Sequence, residues 1–403
     1  MLPVAKHNKF NASKKVSNKP KQIVTGNCKL ISKERFSVNV SYHAQLIDVF
    51  KSIPSRAYDP NEKTWNFSLS DYSTVMKKIR DLREEVSISE LPTLLLRLFS
   101  QKSQTPQSPE AIDLSSIDQI LLDALMPFQR DGICFGISKN GRCLLADDMG
   151  LGKTIQALGI AHYYVQDWPM LIVCPSSVRY LWMDSILTWL PSVPYHEIKV
   201  MTSGKDYVGD AHILITSYDL MSRCRSELQK INFGVCIMDE SHFLKSLNSA
   251  RSEAAKVLLK KARRVIMLSG TPALSRPCEL YSQISAIQPS LFPSYFEFGI
   301  RYCNGIKNNF GWDFTGSSNM EELQLLLESQ IMIRRLKSDV ISQLPPKVRQ
   351  VIILNPELVR DKTKEMKQCL ENLEQEHMSA MEKRGALLSY YNATGKAKLK
   401  AIQ

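Results

Sequence analysis

Residues 146–154 read ADDMGLGKT and combine the residue types of a phosphate-binding loop. The loop follows the apolar run CLLA and precedes the stretch IQALGIAHYY, so it is expected to join a buried strand to a helix. Gly150 and Gly152 allow backbone amides to approach phosphate oxygens, and the amino-terminal end of a helix adds positive potential. Lys153 can neutralise the terminal phosphates, and Thr154 can ligate magnesium. The combination predicts a site for ATP and Mg²⁺.

The loop departs from the common pattern GxxxxGK[ST] at one position, where Asp147 takes the place of a glycine. Its placement between a buried strand and a helix still favours nucleotide binding over a chance match. We therefore predict that the whole loop contacts the nucleotide. Its residues are Asp147, Asp148, Met149, Gly150, Leu151, Gly152, Lys153 and Thr154.

Two adjacent carboxylates follow a second apolar run, in the segment VCIMDESH. Adjacent carboxylates at a strand end are costly to desolvate without a cation, which favours a metal role over an acidic surface turn. Asp239 would hold magnesium together with Thr154, and Glu240 would polarise the attacking water. Lys153, Asp239 and Glu240 are therefore the predicted catalytic residues.

Two further segments place polar groups near these loops. LSGTPAL offers the hydroxyls of Ser269 and Thr271 at the end of another strand. LMPFQRDGI places Gln129 just before the nucleotide strand, and its amide has the paired donor and acceptor that an adenine edge requires. Taken by itself, Gln129 is uninformative.

The elements that must position these residues are short apolar runs ending in small or acidic residues. Such runs are typical of strands that are covered on both faces of a parallel sheet. With helices between them they predict a doubly wound α/β domain, whose ligand lies at the carboxyl ends of the strands. The predicted strands are RCLLAD (142–147), MLIVCP (170–175), HILITS (212–217), VCIMDE (235–240) and RVIMLSG (264–270).

The region before residue 114 has a different organisation. Up to Arg35 it carries nine Lys or Arg against one acid, which predicts a disordered arm that is either merely solvated or binds phosphates or nuclear-import factors. A compact module should follow, beginning with the strand RFSVNVSY. Its predicted elements are that strand with Phe36, Val38, Val40 and Tyr42 on one face, a helix in HAQLIDVFKSI, a strand with Trp65, Phe67 and Leu69 on one face, and a helix capped by Ser70 or Asp71.

Composition limits the class of protein. With 403 residues, 44% of them hydrophobic, the chain should fold into two or three packed domains. The 52 Lys and Arg exceed the 40 Asp and Glu, and the formal charge of +12 favours nucleic acid or an acidic surface as a partner. The nine scattered cysteines form no CxxC pair, which favours core thiols in a reducing compartment over a zinc or disulfide framework. No signal-peptide core or membrane span is visible, and no membrane partner is expected.

Seven segments occur in the order and spacing of the first motor lobe of the Snf2-type helicase superfamily, which the chain resembles over about residues 118–347. They are LMPFQRDGI, ADDMGLGKT, LIVCPSSVRYLW, ILITSYDLM, DESHFLKS, LSGTPAL and IMIRRLKSDV. The last box and the DESH box distinguish the Snf2 group from DEAD-box RNA helicases. The resemblance implies a RecA-like P-loop lobe at 114–347 that is a DNA-dependent ATP hydrolase.

The segment from RFSVNVSY to TVMKKI resembles a HARP domain, found in SMARCA-like annealing helicases that rewind unpaired DNA and remodel stalled replication forks. The resemblance implies a small α+β HARP module at 27–97 between a basic tail (1–26) and a linker (98–113). In that family the module confers recognition of branched DNA. It implies a nuclear DNA-repair protein whose partners are forked DNA and, through regions not evident in this sequence, the single-strand-binding protein RPA.

The resemblance also assigns roles to individual residues. Gln129 would contact adenine, and Ser269 and Thr271 would couple the nucleotide state to the grip on DNA. Hydroxyls and amides in two further loops would bind DNA phosphates without regard to sequence. These residues are Pro175, Ser176, Ser177, Thr216, Ser217 and Tyr218. Without the resemblance, the two loops would be interpreted as ordinary strand-ending turns.

Motors of this class close two RecA-like lobes around ATP, and the second lobe supplies arginines to the γ-phosphate. At 348–403 this sequence shows a Lys- and Glu-rich helical stretch without a second nucleotide fold. Arg334 and Arg335 are interpreted as packing or DNA-facing residues of the first lobe rather than as arginine fingers. We expect the chain to be a fragment or short isoform that, alone, binds ATP weakly and hydrolyses it poorly.

Three functions stay open at this point. The first is an ATP-dependent DNA translocase and annealing helicase, of which this chain carries the HARP module and the first motor lobe. The second is a nucleosome remodeller, which would need histone-reading segments that the sequence does not show. The third is a non-catalytic protein that binds forked DNA through a truncated motor.

Overall fold

The computed structural model describes residues 23–99, 112–206, 208–246, 249–270, 276–309, 311–346, 349–351, 353, 364–373 and 380–402. Most of the predicted tail and linker, and the predicted site residue Thr271, lie outside these ranges. The chain forms two compact units, Met1–Gln343 and Leu344–Gln403. None of the helices in the described ranges combines the length and apolar character that crossing a membrane requires.

The amino-terminal module is a mixed sheet of five short strands with three helices. Its elements are β1 (Val24–Leu30), β2 (Arg35–Val40), α1 (Ala44–Lys51), β3 (Ala57–Asp59), β4 (Thr64–Ser68), α2 (Tyr72–Arg80), β5 (Val86–Ser89) and α3 (Thr93–Phe99). The strands lie in the order β3-β4-β2-β1-β5, and only the β1–β5 pair is parallel. Phe36, Phe50 and Phe67 are fully buried between strands and helices and form the centre of the module.

Three predictions for this module need correction. Strand β1 starts at Val24, inside the stretch predicted to be disordered. Its own sequence shows no strand pattern, because pairing with β2 and β5 rather than an alternation of apolar residues stabilises it. Strand β2 ends at Val40, so Tyr42 is 81% exposed rather than part of a buried face. Asp71 precedes α2 but does not cap it, because its carboxylate accepts a hydrogen bond from Ser55 Oγ.

The larger domain is built on a sheet of seven parallel strands. They are β6 (Arg142–Leu145), β7 (Met170–Cys174), β8 (Ile198–Val200), β9 (Ile213–Ser217), β10 (Val235–Met238), β11 (Arg264–Leu268) and β14 (Met332–Ile333), with a separate hairpin of β12 (Ile306–Asn308) and β13 (Gly311–Asp313). The parallel strands lie in the order β14-β6-β11-β10-β7-β9-β8. This confirms the predicted fold class and all five predicted strands; β8 and β14 escaped prediction because two or three residues show no period.

Helices cover both faces of the seven-stranded sheet. They are α4 (Gln119–Ala124), α5 (Pro127–Ser138), α6 (Lys153–Tyr163), α7 (Arg179–Trp189), α8 (Tyr218–Arg223), α9 (Arg225–Leu228), α10 (Ala250–Lys261), α11 (Pro277–Ile287), α12 (Tyr295–Tyr302) and α13 (Met320–Gln330). Along β6, Cys143 and Leu145 pack into the core under α5 and α6, while Leu144 packs into the core on the opposite face. Strands buried on both faces cannot alternate in polarity, which explains the continuous apolar runs in the sequence.

A buried ion pair joins the amino-terminal module to the lobe. The Glu322 carboxylate is fully buried and accepts hydrogen bonds from Arg301 Nε (2.9 Å) and Nη2 (2.7 Å) and from Tyr302 Oη (3.1 Å). The backbone N–H of Leu30 in β1 also donates to it (2.8 Å), and Arg301 Nη2 donates to the carbonyl oxygen of Cys28 (2.9 Å). The module is therefore fixed to α12 and α13 by charge-assisted hydrogen bonds in the interior.

The second unit contains α14 (Lys364–Leu373) and α15 (Ala380–Ile402), in the stretch that was predicted to be helical. Met366, Ala393 and Ala397 pack together in it. All nine cysteines of the chain lie in the described ranges as free thiols, and seven are buried. This confirms the interpretation of cysteine as a core residue.

We expect Glu322→Gln to lower the free energy of unfolding by about 3 to 5 kcal/mol, because it leaves the buried Arg301 guanidinium without a counter-charge. The neighbouring Glu321, whose side chain is 75% exposed and lies 3.9 Å from Lys29, offers a matched control. Glu321→Gln should change stability by less than about 0.5 kcal/mol. Denaturant unfolding measures both, and equal losses would contradict the role given to Glu322.

Candidate nucleotide-binding site

Three neighbouring strands bring the predicted nucleotide residues to one edge of the sheet. Strand β11 lies between β6 and β10, so the loops that carry LSG, ADDMGLGKT and DESH follow adjacent carboxyl ends. A Cβ atom on Gly270 would lie 2.6 Å from Met149 Cγ and 3.5 Å from Lys153 Nζ. The LSG segment therefore packs directly against the phosphate loop.

The phosphate loop has the backbone shape of an anion cradle. Gly150 and Gly152 have φ angles of 83° and 73°, in the left-handed region that favours glycine. Helix α6 begins at Lys153 directly after Gly152, and Thr154 is half-buried in its first turn. The amino-terminal end of α6, with its unpaired N–H groups, thus faces the loop, which is the arrangement that binds phosphate.

The Lys153 side chain lies within this loop. Its ammonium donates hydrogen bonds to the carbonyl oxygens of Asp147 (2.8 Å) and Asp148 (3.2 Å). Burial lowers the pKa of Lys153, while nearby carboxylates, Glu240 foremost, act in the opposite direction. The lysine is thus poised among acidic groups at the place where phosphates would add further negative charge.

The side chain of Asp147, the residue in place of the usual glycine, does not face the nucleotide. It is fully buried, and its carboxylate pairs with Arg335 Nε (3.0 Å) and Nη2 (2.6 Å) and accepts from Gln156 Nε2 (3.1 Å). The Asp147 carboxylate is therefore not available to the nucleotide, and a contact through its backbone stays a prediction, whereas the interpretation of Arg335 as a packing residue is confirmed. The sequence analysis did not identify Gln156 as a partner of this ion pair. The available signal was an acid in the phosphate loop together with an arginine in IMIRRLKSDV.

The remaining loop residues differ in their accessibility. Met149 is 60% exposed, whereas Leu151 is 1% exposed, so only the backbone of Leu151 is available to a ligand. The Asp148 carboxylate accepts a hydrogen bond from the backbone N–H of Lys337 (3.0 Å). The loop thus offers phosphates its amides and Lys153, while two of its side chains are used to hold it in place.

Gln129 connects the start of α5 to the phosphate loop. It is 8% exposed; its Oε1 accepts from the Met126 N–H (3.0 Å), and its Nε2 donates to the Leu151 carbonyl oxygen (3.2 Å). A side chain on residue 152 would collide with this Nε2, so Gly152 is needed for space as well as for its φ angle. The adenine contact stays a prediction, with one N–H and one lone pair of the amide left for it.

Asp239 is the more deeply placed of the two adjacent acids. Trp182 Nε1 donates to its Oδ2 (2.9 Å), and the Glu240 N–H donates to its Oδ1 (2.9 Å). Burial raises the pKa of Asp239, although these hydrogen bonds and the nearby Lys153 oppose the rise. Burial thus disfavours the ionised carboxylate, and a bound cation would stabilise it.

Glu240 is held in an unusual backbone conformation beside His242. Its φ of 48° is in the left-handed region, and its Oε2 lies 3.2 Å from His242 Nδ1, at ion-pair distance but without hydrogen-bond alignment. The His242 ring stacks on Phe243 (5.0 Å), which stacks on Tyr218 (5.2 Å). The DESH loop is thus in continuous ring contact with the loop after β9.

Ser269, predicted to couple nucleotide state to DNA, is 1% exposed. Its backbone N–H donates to the Leu145 carbonyl oxygen (3.1 Å), which continues the β6–β11 ladder. Its Oγ is buried without a hydrogen-bond partner in the part of the chain that the structure describes. Its neighbour Gly270 packs against the phosphate loop, and the coupling role of Ser269 stays a prediction.

The predicted DNA-contacting residues fall into two groups. Ser176 and Ser177 are exposed after β7 and can reach a ligand. Thr216, Ser217 and Tyr218 are at most 5% exposed, so their hydroxyls are not available to DNA, and a contact through their backbone amides stays a prediction. Ser217 Oγ accepts from the Leu220 N–H at the start of α8, and Tyr218 Oη donates to the Asp239 carbonyl oxygen (2.7 Å). The Tyr218 hydroxyl is thus engaged by the DESH loop, and the Ser217 hydroxyl by the first turn of α8.

The donor set fits a nucleotide with Mg²⁺. Thr154 provides a hydroxyl and Asp239 a carboxylate, which are hard oxygen ligands of the kind that magnesium prefers. The burial of Asp239 disfavours its ionised form unless a cation lies nearby, which is an observation independent of the sequence motif.

Comparisons with known proteins agree with this geometry. A family model described as "SNF2-related domain" matches residues 43–390. The Xenopus tropicalis protein "SWI/SNF-related matrix-associated actin-dependent regulator of chromatin subfamily A-like protein 1" is 45% identical over 390 residues, covering 95% of this chain and 41% of that protein. The Homo sapiens "DNA annealing helicase and endonuclease ZRANB3" is 48% identical over 238 residues, covering 57% of this chain and 22% of that protein.

A solved structure supports the same relationship. The Sulfolobus solfataricus SWI2/SNF2 ATPase core in complex with dsDNA is 25% identical, with a TM-score of 0.50, and the match covers 71% of this chain and 60% of that one. The chain spans only about two fifths of the length of the first-named relative. The family model nevertheless covers most of the chain, from the module through the parallel sheet, and the chain therefore belongs to the SNF2-related domain family.

Proposed function

We propose that this chain is the amino-terminal module and first motor lobe of an ATP-dependent DNA translocase and annealing helicase. The observation that carries the proposal is the meeting of the phosphate cradle, the half-buried Asp239 and the LSG loop at adjacent strand ends. The Homo sapiens relative, which is named a DNA annealing helicase, supports DNA as the substrate and annealing as the activity.

Each site residue has a task in this proposal. The amides of Gly150 and Gly152 and the Lys153 ammonium would hold the phosphates, while Gln129 lies where a base edge can meet its amide. Mg²⁺ would be held by Thr154 and Asp239 and would neutralise charge on the phosphates. Glu240 would orient and polarise the attacking water.

The DNA substrate is proposed from charge, relatives and topology. The formal charge of +12 favours a polyanion, and Ser176 and Ser177 present exposed hydroxyls at the same edge of the sheet as the nucleotide site. We assign residues 27–97 to a HARP module that directs the lobe to forked DNA. A nuclear location in replication-fork repair, with RPA as a possible partner of the whole protein, belongs to the same proposal.

Nucleotide binding and hydrolysis should separate in two variants. Lys153→Ala should abolish binding of a fluorescent Mg·ATP analogue, because the phosphates lose their cation. Glu240→Gln should keep the affinity but lower forked-DNA-stimulated hydrolysis on the order of 10² to 10⁴-fold, because the water loses its base. Binding is measured by titration and hydrolysis by phosphate release, with this chain and with a form extended to the length of its relatives.

The result can overturn the assignment in two ways. If Lys153→Ala leaves fork binding and nucleotide binding unchanged, the chain acts as a non-catalytic DNA-binding protein. If unbranched duplex stimulates hydrolysis as strongly as forked DNA, residues 27–97 do not direct the lobe to forks.

Removing the Trp182 donor should move the pH dependence of magnesium binding. Burial already raises the pKa of Asp239, and the Trp182 indole opposes that rise by hydrogen bonding to the ionised form. Trp182→Phe should therefore raise the pKa of Asp239 further. Because protonated Asp239 cannot bind the cation, acidification should abolish Mg²⁺-dependent nucleotide binding at a higher pH in the variant than in the unmodified protein.

The matched control for this pH shift is Trp189→Phe, which removes the indole seven residues beyond Trp182 on the same helix. Nucleotide titrations at saturating Mg²⁺ from acidic to neutral pH give the midpoint. An unchanged midpoint, or one displaced to lower pH, would contradict the link between Trp182 and Asp239.

A further inference from the structure

The guanidinium of Arg335 grips the phosphate loop at the residue where the common motif has glycine. Its Nε and Nη2 pair in a bidentate fashion with the Asp147 carboxylate, at 3.0 and 2.6 Å, and its backbone N–H adds a third bond to Oδ1 at 3.1 Å. The Arg335 side chain is 14% exposed and that of Asp147 is fully buried. A planar fork in this setting fixes both the position and the orientation of the carboxylate.

The backbone on either side of Arg335 also follows the loop. The Ala146 N–H donates to the Ile333 carbonyl oxygen (2.8 Å), and the Asp148 N–H donates to the Arg335 carbonyl oxygen (3.0 Å). The Lys337 N–H then donates to the Asp148 carboxylate (3.0 Å). The pairing of β14 with β6 is therefore prolonged past the end of the sheet and along the entry to the phosphate loop.

The same segment reaches the start of α5, where Gln129 lies. Arg335 Nη1 donates to the Phe128 carbonyl oxygen, and its guanidinium lies 5.1 Å from the centre of the Phe128 ring. The Phe128 N–H donates to Gln343 Oε1 (2.9 Å). Residues 331–343, at the end of the first unit, thus touch both the phosphate loop and the helix that carries the predicted adenine contact.

The packing around this contact leaves little freedom. Gln156 Oε1 accepts from Arg335 Nη2 (2.9 Å), while Gln156 Nε2 donates to Asp147. A side chain on Gly132 of α5 would collide with Gln156 and come within 2.8 Å of Arg335 Nη2. The ion pair is therefore confined between α5 and α6, and neither partner can turn away without moving the other.

We propose that Arg335 is a positioning residue of the nucleotide site, which links the shape of the phosphate loop to the segment 331–343. The inference rests on the proposed function, since it assumes that the loop binds a nucleotide. Lys153 donates to the carbonyl oxygens of Asp147 and Asp148; when it turns to a phosphate, the contacts with Arg335 and Lys337 are what hold this part of the loop. The loop and the segment leaving the first unit must then shift together.

The decisive variant is Asp147→Gly, which restores the glycine of the common motif. If the acid were an incidental substitution, binding of a fluorescent Mg·ADP analogue by the full chain would stay the same or improve. We expect it to weaken on the order of 5- to 150-fold, the usual range for coupling between sites, because Arg335 loses its counter-charge and the loop its tether.

A double-mutant cycle isolates the pair. Arg335→Met should weaken nucleotide binding to a similar degree. Arg335→Lys should weaken it less, since lysine keeps the charge but loses the planar guanidinium. The Asp147→Gly/Arg335→Met protein should bind the nucleotide no more weakly than the weaker-binding of the two single variants. The control is Arg334→Met, which removes the neighbouring arginine without touching Asp147. Additive losses, or an equal loss in the control, would overturn the proposal.

Amide hydrogen exchange distinguishes positioning from a general loss of stability. In the unmodified chain, the nucleotide should slow exchange within residues 331–343, and Arg335→Lys, which retains the charge for folding, should reduce that difference. A variant that is less stable on thermal unfolding but keeps the full nucleotide-dependent difference would overturn the proposal. Failure of the unmodified chain to bind nucleotide through Lys153 would instead reject the proposed function.

Discussion

The parallel ladder of β6, β11 and β10 is the constraint on which the site depends. Because both faces of these strands are committed to apolar cores, polar side chains can be accommodated only where the strands end. Three adjacent strands end at the same edge, so a lysine, a pair of carboxylates and a serine that are far apart in sequence come together there. The chemistry of the lobe is thus a consequence of how its core is filled.

The sequence was most informative where local pattern and structure coincide. The five longer strands could be predicted because continuous apolar runs require burial on both faces, and the loop before Lys153 because its glycines need left-handed φ angles. Strand β1 could not, because its stability comes from pairing with β2 and β5 rather than from its own residues. A local sequence pattern indicates the secondary structure that a segment prefers by itself, and it gives no information where pairing with other segments determines the structure.

Individual contacts at the site were the hardest to predict. The ion pair joins Asp147 and Arg335, which are 188 positions apart in the sequence. No local pattern indicates that an acid in one loop pairs with an arginine so far along the chain. The resemblance assigned Tyr218 to DNA, yet its ring packs against the DESH loop, and its hydroxyl donates a hydrogen bond to the Asp239 carbonyl oxygen. Accessibility depends on which neighbouring loop packs over a residue, and that is a property of the whole fold. The same packing places Tyr218, Phe243 and His242 in one aromatic stack, which connects the start of α8 to the DESH loop.

The buried carboxylate of Glu322 has a mechanical consequence. It accepts hydrogen bonds from the backbone N–H of Leu30 at the end of β1 and from the guanidinium of Arg301 on α12, so the module is held firmly to the lobe at this point. A rigid connection of this kind makes the amino-terminal module move together with the lobe. Any surface that the five-stranded sheet presents would then keep a fixed orientation relative to the candidate nucleotide site of the lobe.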